Sequence, residues 1–119
     1  MNVCILRGRL LRPPEQRVLP GGRCLVTYEL SVARADAPAE PVPVVWESPP
    51  ASALDLEVEA EVVVVGRVRR RWFRSGGSSQ SRTEVVADAV LPARSAKRAA
   101  RLVSDAVAVV EEAIPRRSG

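Results

Sequence analysis

The chain has 119 residues and a mass of 12.9 kDa, which suits one compact domain. Apolar residues make up 46% of it, enough for a core, and no apolar run approaches the roughly 20 residues of a membrane-spanning helix. With no histidine and two cysteines, it has almost no basis for a zinc site or for Ser–His or Cys–His catalysis. We therefore expect no enzymatic activity, no metal and no cofactor.

The charges are separated into blocks along the chain. Residues 1–34 carry six arginines and two glutamates, residues 35–66 carry seven acids and no base, and residues 67–101 carry ten bases and two acids. Such separation favours a basic surface for a polyanion, with an acidic flank elsewhere. A solvated charged face without a ligand would give the same pattern, so charge alone leaves both interpretations open.

Apolar alternation and turn residues predict five short strands followed by one helix. The strands are expected over 2–11, 23–34, 44–46, 58–73 and 82–91, and the helix over 95–114. A loop over 35–43 and a flexible hairpin tip over 75–81 are expected between them, because these segments are rich in proline, glycine and serine. The order indicates a mainly β protein, a small barrel or sandwich with a C-terminal helix.

The most informative segment is 66–74, where five arginines flank two adjacent aromatic residues. Because a strand places alternate side chains on opposite faces, two sets are expected. The first is Arg67, Arg69, Arg71 and Phe73, and the second is Val68, Arg70 and Trp72. A row of guanidinium groups ending in a ring is typical of surfaces that bind single-stranded nucleic acid, through phosphate contacts and base stacking. An exposed strand protected by charge is the alternative.

Other candidate residues give weaker signals. Trp46 is either a stacking platform or a core anchor, and without further context we favour the core. Trp72 has the strand parity of Val62 and Val64, which predicts a place in the core or at a subunit interface. The acids spaced by two residues would share a strand face, where a solvated acidic edge is favoured over a cation site. They are Asp55, Glu57, Glu59 and Glu61.

Several short motifs resemble, in order and spacing, the bacterial single-stranded DNA-binding protein (SSB) family. These are Met1, Asn2, Ile5, Leu6, Gly8, Leu10, Pro14 and Glu15, then Pro20 and Gly22, Leu30 and Val32, Trp46, Val62, Val64 and Gly66 to Val68, and residues 82–88. The resemblance covers about residues 1–91. It implies an OB-fold, a five-stranded barrel that forms dimers or tetramers and binds single-stranded DNA without sequence preference. Residues 92–119 would then be a C-terminal helix and a short basic tail.

The resemblance and the arginine-rich segment together predict the binding residues. By position, Phe73 and Trp46 match stacking aromatics of the family. The expected nucleic-acid-binding residues are Arg7, Arg9, Trp46, Arg67, Arg69, Arg71, Phe73, Arg74 and Arg82. The implied role is in DNA replication, recombination or repair, in the bacterial cytoplasm and nucleoid. The N-terminal apolar run is interrupted at Arg7, so no signal peptide is expected.

The chain also departs from the family. Glu59 stands where the family has a turn glycine, and the stacking aromatics near positions 35–41 have no counterpart, which predicts weaker affinity. The acidic C-terminal tip of the family is replaced by a helix and by Arg116 and Arg117. The alternative function is therefore an OB-fold interaction protein, similar to the primosomal relatives of SSB, whose main role is protein binding. RNA in place of DNA also remains open.

Overall fold

The structure, a computed structural model, describes residues 1–115. Six strands in one sheet are followed by a helix. The elements are β1 (Cys4–Leu10), β2 (Glu15–Val18), β3 (Cys24–Val32), β4 (Glu40–Glu47), β5 (Glu61–Ser75), β6 (Ser78–Pro92) and α1 (Ala96–Ala113). The predicted mainly β class with a C-terminal helix is confirmed. The predicted basic tail, with Arg116 and Arg117, lies outside the described residues.

The strand pairings form a circuit. β1 pairs with β5, β5 with β6, β6 with β4, β4 with β3, and β3 pairs again with β1 at Arg9 and Leu10. All of these pairings are antiparallel except that of β4 with β6, which is parallel at Val44 and Val45. The short strand β2 pairs with the first half of β3, on the side where β1 pairs with the second half. The pairings therefore connect five strands in a ring, and β2 extends the sheet beside them.

The core follows the alternation of β3. Val26, Tyr28 and Leu30 are buried, as the sequence predicts. They pack with buried residues of four other strands, including Leu10, Val44, Val62, Val64, Val85, Ala87 and Val90. The Tyr28 hydroxyl donates a 2.8 Å hydrogen bond to the carbonyl oxygen of Ala53, in a single 3₁₀ turn after β4. Burial of this phenol raises the pKa of Tyr28.

The middle of β5 is covered on both sides, which confirms the expectation for an unbroken run of valines. Val62 and Val64 join the core, and Val63 faces the opposite side, where α1 contacts β5 and β6. The register between β5 and β6 shifts after Val65, which leaves Asp88 as an extra residue on β6. A side chain at Gly66 would overlap the Val86 carbonyl at this point, so only glycine permits the close approach.

β4 begins earlier than expected and includes part of the predicted loop over 35–43. Pro41 and Pro43 pair with β3 across the strand. Proline has no N–H to donate, so it is tolerated where one side of a strand has no partner. Pairing of β4 with β6 starts only at Val44, and the two prolines lie before that point. The sheet therefore accepts them.

The predicted flexible tip over 75–81 is also shorter than expected. β5 and β6 continue to a two-residue turn at Gly76 and Gly77, whose φ values are +59° and +81°. Two positive φ values are what a type I′ hairpin turn requires, and two glycines adopt them without strain. The turn thereby sets the register of the whole hairpin.

Residues 67–84 form a two-stranded arm that extends beyond the rest of the sheet. β1 pairs with β5 only as far as Gly66, and β4 pairs with β6 only at Val85 and Val86. Asn2 also contacts the arm, because its side-chain amide both donates to the Val68 carbonyl (2.7 Å) and accepts from the Val68 N–H (2.9 Å). The molecule is accordingly elongated, with extents of 56 × 37 × 34 Å.

The helix α1 packs by one face, as its apolar spacing predicts. Ala99 and Ala106 are buried, and Leu102 and Val103 are half-buried. Ile114, which the sequence assigns to this stripe, is exposed because it follows the last helical residue. Among residues 1–115, no helix is both long enough and apolar enough to cross a membrane.

Candidate nucleic-acid interface

The arm has two chemically different faces, and the register confirms the predicted alternation on β5. The front face comprises Arg67, Arg69, Arg71, Phe73, Arg82 and Glu84. The reverse face comprises Val68, Arg70, Trp72, Arg74, Ser79, Ser81 and Thr83. The alternation survives Gly66 because the extra residue of the bulge lies on β6 and not on β5.

Glu84 lies at the base of the front face and is only 2% exposed. Its carboxylate accepts hydrogen bonds from Arg69 (2.8 Å) and Arg71 (3.0 Å), and Arg69 is also 3.5 Å from a carboxylate oxygen of Glu47. A buried carboxylate needs such partners, because charged groups lose their hydration on burial. Two of the predicted binding arginines are therefore partly neutralised within the protein.

A groove of about 190 Å³ lies beside the front face. It is bounded by the segment around β2, by the outer sides of β3 and β4, and by the arm. Its charged residues are Arg12, Glu15, Arg17, Glu29, Arg71, Arg82 and Glu84. Four arginines face three glutamates there, and one glutamate, Glu29, lies 3.3 Å from Arg12. The groove is thus weakly positive and rich in guanidinium groups.

Of four further predicted residues, two lie on or next to this surface and two do not. Arg82 lines the groove, and Phe73 is half-buried with the Arg71 guanidinium 5.5 Å from its ring centroid. Arg67 lies 4.0 Å from Asp88, farther from the groove. Arg74 belongs to the reverse face. The arm therefore divides the predicted arginine set between its two faces.

Arg7 and Arg9 are not part of the groove lining. Arg7 lies on β1 opposite Val63 and donates a 2.8 Å hydrogen bond to Glu61, while Arg9 lies 3.2 Å from Glu59. The Arg7 guanidinium lowers the pKa of Glu61, and Glu61 raises that of Arg7. Arg7 instead borders an apolar cavity of about 620 Å³ between β1, β5 and α1.

Trp46 is half-buried and packs against the core cluster. It pairs across the sheet with Val26, a core residue. Residues opposite each other in a strand pair share a face, so Trp46 shares the core face with Val26. This is the core position favoured for Trp46 before the resemblance is considered.

Trp72 is 65% exposed, so it does not lie in the core. Its parity is the predicted one, but the core ends before the arm begins. The alternative position, at a subunit interface, stays a prediction.

The acids at positions 55, 57, 59 and 61 do not share one strand face as expected, because β5 starts only at Glu61. Within residues 1–115 no group of three potential metal-ligating side chains is found.

Glu84, Arg12 and Arg17 are functional candidates that sequence reasoning missed. The signal for Glu84 is the hairpin register: once the turn is placed at Gly76 and Gly77, residue 84 falls opposite residue 69. Arg12 and Arg17 carry no comparable signal, because they reach the groove through the path of the chain around β2.

A scan against models of known protein families returned no match, and neither did a search of curated proteins.

Proposed function

We propose that the protein binds single-stranded DNA without sequence preference, as a divergent OB-fold protein of the SSB type. The observation that carries the proposal is the place of the groove: on β3 and β4, between the segment around β2 and the arm. OB-folds bind oligonucleotides on their second and third barrel strands, between the loop that follows the first strand and the hairpin of the last two.

The pairing circuit supports the fold part of this proposal. If β2 is counted with the loop after β1, the remaining strands are five, paired in a ring with a single parallel contact. Closure removes the edge strands of a small sheet, which is the advantage of a barrel. We assign this ring to the OB barrel, with α1 packed on its outside. Homo-oligomeric assembly, which the resemblance implies, belongs to the same proposal.

The groove chemistry supports the ligand class. Arg12, Arg17 and Arg82 can each contact a phosphate, and Phe73, half-buried on the front face of the arm, offers a ring for stacking. Arg71 is held by Glu84 and offers a pre-positioned guanidinium. Phosphate contacts and base stacking are available to every nucleotide alike, which suits binding without sequence preference.

The test is a salt titration of binding to labelled single-stranded DNA, duplex DNA and single-stranded RNA. The log–log salt slope is about −0.7 per phosphate contact for single strands, so the four groove arginines predict a slope of about −3. Arg12→Gln with Arg82→Gln should weaken binding and flatten the slope, and Arg98→Gln with Arg101→Gln on α1 is the matched control. No binding at low salt, or equal loss in the control, would contradict the proposal.

A protein-binding role is the second candidate, and one observation favours it. Val107 and Val109 are exposed on α1, away from the groove. In this role the helix would carry the partner contact and nucleic acid would be secondary. Substitution of both valines by serine would then abolish partner binding and leave the salt slope unchanged.

A further inference from the structure

The reverse face of the arm carries a large aromatic ring that is mostly exposed to solvent. Trp72 is 65% exposed and Val68 is 45% exposed. The guanidinium of Arg70 lies 5.9 Å from the Trp72 ring centroid. The cross-strand neighbours are Ser81 opposite Trp72 and Thr83 opposite Arg70, and these short side chains leave the ring accessible.

The arginines of this face differ from those of the front face in their charge balance. Arg69 and Arg71 share the carboxylate of Glu84. In the part of the chain that the structure describes, Arg70 and Arg74 have no carboxylate within 4.0 Å. Both arginines of the reverse face can therefore pair with a phosphate without giving up a carboxylate partner.

An exposed tryptophan flanked by two uncompensated guanidinium groups is suited to a ligand that has both π-faces and negative charge. Bases stack on such rings, arginine adds cation–π attraction, and the phosphates between bases pair with the cations. A protein partner would require a wider apolar patch than Val68 and Trp72 provide, because stable interfaces bury on the order of 800 Å² on each side. Charge and shape therefore favour nucleic acid as the occupant.

We propose that the reverse face is a second stacking site, so that one single strand contacts both faces of the arm and stacks a base on Trp72. This inference rests on the proposed function and deepens it, because it extends the binding path beyond the groove. The path would run from the groove past Phe73, around the Gly76–Gly77 turn, and onto Trp72.

The experiment uses the full chain with Trp46→Phe, so that Trp72 is the remaining tryptophan. The probe is an oligothymidylate longer than the roughly 4–16 nucleotides that one OB fold occupies. We expect the strand to quench Trp72 fluorescence, and Trp72→Ala in the otherwise unaltered chain to weaken binding about 5- to 150-fold, the effect of losing one base stack. Trp72→Phe should restore most of the affinity, because a ring is retained.

Arg70→Gln with Arg74→Gln provides an independent variant that keeps the ring, and Arg98→Gln with Arg101→Gln is its matched control. The first pair should flatten the salt slope by about 1.4, at about 0.7 per contact, and the control pair should not. The second site would be overturned if Trp72 fluorescence is not quenched and Trp72→Ala binds with unchanged affinity. If the groove variants weaken binding in the same experiments, the proposed function still stands. Absence of binding by the unaltered protein would overturn both, and self-association through Trp72 would overturn the second site.

Discussion

The buried carboxylate of Glu84 accepts a 2.8 Å hydrogen bond from the guanidinium of Arg69 directly across the arm. This contact lies where the arm leaves the sheet, and a two-stranded hairpin alone is only marginally stable in water. Arg71 bonds the second oxygen of the same carboxylate. These hydrogen bonds thus join the two strands of the arm at its base, and Arg69 also lies 3.5 Å from Glu47 of β4, which links the arm to the sheet.

Glu84→Gln should lower stability and strengthen binding to single-stranded DNA. Loss of one partner from a buried ion pair costs about 3–5 kcal/mol, and we expect about 1–3 kcal/mol here because the arginines are partly exposed to solvent. Release of Arg69 and Arg71 should steepen the salt slope of binding. Urea denaturation and salt-titrated binding measure the two effects. Glu15→Gln is the control, because it changes the groove charge equally at an exposed position. It should steepen the salt slope of binding without lowering stability. Equal losses of stability in the two variants would contradict this account.

The stability of the protein should fall above pH 10 through Tyr28. Burial raises the pKa of Tyr28 above the value of about 10 in an unfolded chain, so the folded state holds this proton more tightly. Its contribution is complete below pH 10 and is lost as the pH rises past that value, because the unfolded chain ionises first. Tyr28 is the single tyrosine, so tyrosinate absorbance should appear only together with loss of circular dichroism.

Tyr28→Phe is the control for that titration. It removes the absorbance change and leaves the Ala53 carbonyl without its donor, which should cost about 1 kcal/mol at neutral pH. Ionisation of Tyr28 near pH 10 in a protein that is still folded would show that the phenol is not held as described.

Glu59→Gly should stabilise the backbone at the turn before β5. Glu59 has φ = +72°, a left-handed conformation that costs a non-glycine residue about 1–2 kcal/mol, whereas glycine loses about 0.5–1 kcal/mol of chain entropy on folding. The expected gain is about 0.5–1 kcal/mol. The substitution also removes the exposed pair with Arg9, so both proteins should be compared in an Arg9→Gln background by urea denaturation. A loss of stability in that background would contradict the prediction.

Removal of α1 by truncation after Pro92 should destabilise the sheet. The helix contacts β5 and β6. Val63 and Val65 lie on the side of β5 that faces the helix, and each is only 7% exposed. Exposure of a buried valine costs about 1.5–3 kcal/mol, so a loss of about 2–5 kcal/mol is expected. The melting temperature and the mass in light scattering measure stability and assembly. If the truncated protein has the melting temperature of the full chain, α1 is not needed for stability and is free to bind a partner. Val109→Ser, at an exposed position, is the control, and it should change neither the melting temperature nor the mass.

Much of the β architecture could be read from local spacing. The alternation of β3 identified Val26, Tyr28 and Leu30 as core because residues two apart in a strand share a face. The same rule assigned Arg69 and Phe73 to one face of β5, and it held because the bulge lies on the opposite strand. The amphipathic pattern of α1 also indicated its packed side correctly, except at Ile114.

Only the tertiary structure decided what lies opposite each of these faces. Periodicity shows which side chains share a face of one strand. Which residues of the next strand lie opposite them depends on the turn between the strands. Here a two-residue turn, in place of the expected seven-residue tip, places Glu84 opposite Arg69. The arm extends beyond β1 and β4. Trp72 therefore shares a face of β5 with the core residues Val62 and Val64, but it lies beyond the end of the core and is exposed. Arg12 and Arg17 reach the groove, and Arg7 and Arg9 reach Glu61 and Glu59, through contacts between segments distant in the chain, which no local pattern encodes.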